Sequence, residues 1–128
     1  MMRRRPPPPP PGGAERREHE RYELLAQVEL RGSGDVWVLG VRDISAGGMF
    51  VELGANEHAA VRSGDRLQIC VDLGENDAGA PLRLETAVEV VRITLPGPGR
   101  AGGFGVMWTS VDPAAADALG RILAHLRG

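Results

Sequence analysis

The sequence contains no lysine; all fifteen of its basic residues are arginine. Together with abundant glycine, alanine and proline, this reflects a GC-rich coding sequence and carries no function by itself. Aromatic residues make up only 4% of the 128 positions, so aliphatic side chains must build the core. The single cysteine, Cys70, excludes an internal disulfide and fits a reducing compartment. No apolar run approaches the ~20 residues of a membrane-spanning helix, and the N-terminus lacks the apolar stretch of a secretory signal. A cytoplasmic protein without membrane insertion is expected. The three histidines, His19, His58 and His125, have no metal-ligand spacing to one another or to Cys70. No paired carboxylates stand out, and Ser45 has no histidine near it in sequence. The expectation is no catalytic residue, no metal and no cofactor, hence not an enzyme.

What is there is one domain's worth of chain with an acidic balance. The formal net charge is −2, and the first five residues hold three arginines and no acid, so residues 6–128 carry −5. Non-specific nucleic-acid binding rests on many phosphate contacts, so neither DNA nor RNA is expected as a partner. A small single-strand-binding barrel would also need aromatic platforms in a basic groove. Here Tyr22, Trp37, Phe50, Phe104 and Trp108 mostly occupy core-like positions. An anionic ligand would have to be held by a local arginine cluster.

Residues 1–14 form a basic, proline-rich tail, in which Pro6 to Pro11 should adopt a polyproline II rod. Residues 15–128 read as the folded domain. Glu15 to Arg21 alternates acids and arginines. As a helix it would pair Arg16 with Glu20 and Glu18 with Arg21, but it would set Arg17 and Arg21 four apart as like charges, which favours an anion between them. Alternation then predicts strands over Tyr22–Leu30, Val36–Arg42, Met49–Leu53, Leu67–Leu73, Leu82–Ile93 and Phe104–Trp108. Turns fall at Arg31–Asp35, Ser63–Asp65 and Thr94–Gly103, and a bulge near Val90-Val91, where the apolar phase slips. Gly97 to Gly102 matches G-x-G-x-x-G, but strand residues follow where a dinucleotide fingerprint must open a helix. The acids Asp72, Glu75 and Asp77 do not follow calcium-loop spacing. A C-terminal helix is announced by Asp112 as N-cap and Pro113 at its first position. Its apolar stripe is Ala116, Leu119, Ile122, Leu123 and Leu126. Six short antiparallel strands with tight turns predict a small barrel, with the helix covering an end or an edge.

Between the second and third strands stands Asp43-Ile44-Ser45-Ala46-Gly47-Gly48, which reads Asp-x-Ser-x-x-Gly. Asp43 supplies acceptors. Ser45 supplies a donor and an acceptor on the same face of an extended chain. Gly48 permits a turn or a close approach. Upstream, Arg17 and Arg21 form an Arg-x-x-x-Arg pair directly before the first strand.

In this order and strand pattern the two motifs resemble the PilZ domain family, small bacterial barrels that bind the second messenger cyclic di-GMP. The resemblance covers roughly Arg16 to Arg127. Softer matches are the Ser63-Gly64-Asp65 turn, Gly103-Phe104-Gly105-Val106 in the sixth strand, and the closing helix. It implies an all-β fold with a C-terminal helix, a six-stranded antiparallel PilZ-type β-barrel. It also implies a cyclic di-GMP site made by Arg17, Arg21, Asp43, Ser45 and Gly48, with Arg16 adding a third arginine. The chemistry agrees. Arginine bridges the O6 and N7 acceptors of guanine bidentately, and its guanidinium stacks on flat bases and pairs with phosphate. Asp43 can accept from a guanine N–H, and Ser45 can bond a phosphate or a base. A receptor is expected whose charged 15–21 segment is ordered by ligand and presents a new surface to a downstream protein partner. The alternative is a nucleotide-independent PilZ-like subunit of a pilus or motility assembly. Members of that kind usually lack these arginines or the Asp-x-Ser-x-x-Gly stretch.

Overall fold

The alternation of aliphatic and polar residues does build strands, and they run longer than the apolar residues alone mark. The computed structural model describes residues 20–32, 34–53, 61–99 and 101–128. The tail, Arg16, Arg17, His19, His58 and most of the loop after the third strand lie outside that range. The elements are β1 (Tyr22–Gly32), β2 (Asp35–Ile44), β3 (Gly48–Leu53), β4 (Arg66–Glu75), β5 (Pro81–Thr94), β6 (Gly102–Ser110) and α1 (Pro113–Arg127). Every pairing is antiparallel, and the strands close into a barrel in the order β1-β2-β3-β6-β5-β4, with β4 returning to β1. The all-β barrel with a C-terminal helix is therefore what the chain forms.

The inward-facing positions fill the barrel with aliphatic side chains. Val28, Leu30, Ile44, Val51, Ile69, Val71, Leu82, Leu84 and Val88 are all essentially inaccessible, and Phe104 joins them. Burial of each such side chain contributes on the order of 1.5–3 kcal/mol. The one polar residue buried among the inward positions of β5, Thr86, donates its hydroxyl to the Ser110 carbonyl at 3.1 Å.

Two of the expected boundaries move. β1 and β2 extend until only positions 33 and 34 separate them, with Gly34 at φ 86° taking the left-handed corner. β2 also runs on through Asp43 and Ile44, so the aspartate of the motif is a strand residue and not a turn residue. The bulge expected near Val90-Val91 is present as a register slip between Val90 and Arg92, and it leaves Val90 buried and Val91 exposed. Further slips lie between Glu23 and Ala26 on β1 and between Val41 and Asp43 on β2. The Ser63-Gly64-Asp65 turn is locked to β5 by the Gly64 N–H donating to the Val90 carbonyl and the Val90 N–H donating to the Asp65 carbonyl, with Gly64 at φ 95°. The Gly97–Gly102 run leads into strand β6 and not into a helix.

Asp112 caps α1 by accepting the Ala115 N–H at 2.7 Å, with Pro113 at the first position. The helix packs mainly on β5 and also on β1. Its buried face is Ala115, Ala118, Leu119 and Ile122, with Leu123 and Leu126 half-buried. Ala116, expected in the stripe, is exposed. The stripe begins one residue earlier, because Ala115 and Ala118 let the helix approach the sheet closely.

Candidate ligand-binding site

The junction of β1 and β2 brings the two motifs together. Tyr22 pairs with Ile44 and Glu23 with Asp43, so the start of β1 lies beside the end of β2. Arg21, directly before β1, reaches across and places Nη1 3.0 Å from Asp43 Oδ1. Glu20 and Arg21 are not in a helix, and the rest of the 15–21 segment lies outside the described residues. Arg42 adds a second guanidinium, with Nε 3.7 Å from Asp43 Oδ2. These charges offset the like-charged register pair of Glu23 and Asp43. The Arg21 and Asp43 side chains keep 33% and 16% of their accessible surface. Solvent-facing pairs of this kind contribute little to stability, about 0.2–1 kcal/mol, yet both groups stay within reach of a ligand.

Ser45 is placed differently. It is buried, its Oγ accepts the Gly47 N–H at 3.1 Å, and it lies 3.4 Å from the Gly48 carbonyl as donor. The Ser45 N–H also bonds that carbonyl at 2.8 Å, closing a two-residue hairpin loop of Ala46 and Gly47. The serine therefore fixes the turn that follows the aspartate. Gly48 has no left-handed φ to explain it. Its register partner is Met107 on β6, and a Cβ there would overlap the Val106 carbonyl and come within 2.9 Å of the Met107 Cα. The glycine is thus required by the close approach of β3 to β6.

Trp108 completes the turn. Its indole N–H donates to the Ser45 carbonyl at 3.1 Å, and its backbone N–H donates to the Gly47 carbonyl at 3.2 Å. Sequence reasoning put Trp108 only in the core. The contact spans 63 positions, and no local pattern marks it.

Sequence reasoning put Phe50 among the core-like aromatics and passed over Arg42 and Arg92. Met49 and Val51 point into the barrel, so Phe50 between them faces the outer wall. It is only 1% exposed there, with the Arg42 guanidinium 4.0 Å and that of Arg92 6.0 Å from the ring centre. Beside this shelf an open depression of about 610 Å³ is lined by Glu23, Leu24, Val41, Arg42 and Glu52. Cys70 is away from all of this, on the outer side of β4 near Arg83 and Glu85, and burial pushes its thiol up from the ordinary value. Among the described residues no three His, Cys, Asp or Glu side chains are grouped to hold a metal ion. None of the described helices is long and apolar enough to cross a membrane.

The fold has solved counterparts. The motility inhibitor MotI/DgrA of Bacillus subtilis superposes with a TM-score of 0.69 at 20% identity over 93% of this chain, which spans about half, 55%, of that protein. The PilZ domain of YcgR from Escherichia coli, solved with c-di-GMP, gives 0.69 at 19% identity, covering 88% of this chain and 92% of that one. The MrkH–c-di-GMP complex of K. pneumonia gives 0.68 at 17% identity, covering 88% and 52%. No curated protein sequence matches significantly. The family model of the PilZ domain matches residues 15–125, which takes in the arginine pair, the Asp-x-Ser-x-x-Gly turn, the closed barrel and nearly all of α1, and the chain belongs to the PilZ domain family.

Proposed function

We propose that this protein is a cyclic di-GMP receptor that binds the nucleotide on the outer wall of the barrel, at the junction of β1 and β2. The observation that carries the reading is the meeting of Arg21 and Asp43 at 3.0 Å. It joins two distant segments into one site of guanidinium donors and a carboxylate acceptor, and a solvent-facing pair of this kind contributes little to stability. Arg21 can re-aim its fork from Asp43 to a phosphate or to the O6/N7 edge of guanine. Asp43, released in part, accepts from the guanine N–H groups. Ser45 holds the turn in shape, and Gly48 keeps the hairpin flat against β6. Arg16 and Arg17 complete the arginine set from the preceding segment.

Binding reorganises residues 15–21 over the barrel wall and so changes the surface offered to a downstream protein in the cytoplasm. The protein performs no chemistry on the nucleotide and needs no cofactor in this role. Structural neighbours solved with c-di-GMP, the PilZ domain of YcgR and MrkH, support the ligand's identity.

The test is calorimetric titration of the full chain with cyclic di-GMP, beside GTP, cyclic AMP and the Arg17→Ala/Arg21→Ala double variant. Saturable binding of cyclic di-GMP alone, lost in the variant, is expected. No binding at high ligand concentration overturns the receptor reading and leaves a nucleotide-independent assembly subunit.

A further inference from the structure

The sheet register carries the site beyond its two motifs. Asp43 on β2 is opposite Phe50 on β3, Phe50 is opposite Gly105 on β6, and Gly105 is opposite Arg92 on β5. These four positions form one row across the outer wall, three interstrand spacings or about 14 Å long. Arg21 and Asp43 stand at one end. Arg92 stands at the other, at the bulge in β5, exposed and with no carboxylate within 4.0 Å among the described residues. Between them, the Arg42 and Arg92 guanidiniums flank the ring of Phe50.

Gly105 is the second observation. Gly48 and Gly103 are forced to be glycine, since a Cβ at either would collide with backbone. Gly105 is under no such demand. Its φ is not left-handed, and a Cβ there would meet only Arg92, at 3.8–3.9 Å, an ordinary contact. The missing side chain leaves a low floor between Phe50 and Arg92. A flat group can lie there against a guanidinium.

We infer that Arg92 is a further ligand-contact residue of this site and receives a guanine base of the cyclic dinucleotide at the end of the row away from Asp43. The inference rests on the cyclic di-GMP reading and deepens it. A ligand with two purines offers two flat, acceptor-edged groups, and a row with a guanidinium at each end matches them. Arginine serves this role because its planar fork can stack on a base while its N–H groups pair with acceptors, and a compact ammonium has no flat face to stack. Arg42, already stacked on Phe50, supports the floor.

The experiment is calorimetric titration of the full chain with cyclic di-GMP for the wild type, Arg92→Gln, Arg92→Lys and Gly105→Val, with thermal unfolding of each. The expected result is weakening of about tenfold or more for Arg92→Gln, the scale of losing one bidentate base contact. Arg92→Lys should not rescue affinity, although it keeps the charge, and it decides the matter if the glutamine variant fails to fold. Gly105→Val should unfold close to the wild-type temperature yet bind more weakly. Wild-type binding with both Arg92 variants within twofold of it overturns this inference and leaves the receptor standing. A wild type that does not bind overturns both.

Discussion

Arg21 and Asp43 are 22 positions apart in the chain and 3.0 Å apart on the barrel wall. Each belongs to a different motif, and each keeps enough exposure to be taken over by a ligand. The pair should therefore matter far more to binding than to folding. Arg21→Ala and Asp43→Ala are each expected to change the unfolding free energy by less than about 1 kcal/mol, as read by urea denaturation. Each should weaken cyclic di-GMP binding by at least about tenfold, the cost of a lost charge-assisted contact. Equal losses of stability and affinity would mark the pair as structural.

Gly48 and Gly40 make a matched comparison on neighbouring strands. A Cβ at Gly48 collides with the β6 backbone, whereas one at Gly40 meets nothing within 4 Å. Gly48→Ala should cost about 2 kcal/mol or more, since backbone must shift. Gly40→Ala should be neutral or slightly stabilising, because alanine reduces the freedom of the unfolded chain. Denaturation midpoints of the two variants check this directly.

Trp108 holds the hairpin loop through its indole N–H on the Ser45 carbonyl. Trp108→Phe keeps most of the ring and removes the donor, leaving a buried carbonyl with less company. A loss of about 1–2 kcal/mol is expected. Affinity for cyclic di-GMP should fall as well, because the turn positions Asp43. A variant as stable as the wild type would show that the bond contributes nothing net.

Cys70 should be a slow nucleophile. Burial raises its thiol above the ordinary value, so less thiolate is present at any given pH, and the thiolate is the reactive form. Alkylation by iodoacetamide in the native state should lag a free thiol at pH 8 and accelerate as pH rises beyond the free-thiol range. Cys70→Ser should bind cyclic di-GMP as the wild type does, given that its register partners are Glu29 and Glu85, six or seven positions along β1 and β5 from Glu23 and Arg92. Rapid native-state labelling near neutral pH would contradict this.

The barrel was legible in the sequence because half-buried strands write themselves as alternation, and Leu67 to Leu73 is the clearest case. The helix was legible from Asp112 and Pro113, whose roles are local. The bulge at Val90 was visible as a phase slip, whereas those at Glu23–Ala26 and Val41–Asp43 disturb residues too mixed in polarity to show one. The site was legible only where its residues act in short range. Asp43, Ser45 and Gly48 announce a turn, but that Gly48 answers to β6 is a property of strand order, which closure decides. Phe50 was read as core because burial on the outer wall leaves the same trace in sequence as burial inside. Arg92 lies 49 positions from Asp43 and meets it only through the register of four strands.

Closure of the sheet by β4 on β1 also limits how this molecule can speak to others. Each described strand has a hydrogen-bonded neighbour on both sides, so among the described residues no terminal strand stands ready to accept a partner's strand, the route by which many small β domains recruit peptides. The barrel itself therefore meets another protein through side chains standing on its wall. Four of the five exposed large apolar side chains described on the strands, Val36 and Val38 on β2 and Val91 and Ile93 on β5, sit on the same two strands that hold Asp43 and Arg92, and the fifth, Met107, is on β6. On the proposed reading, a strand that touches the nucleotide at one position carries an exposed apolar surface a few residues along.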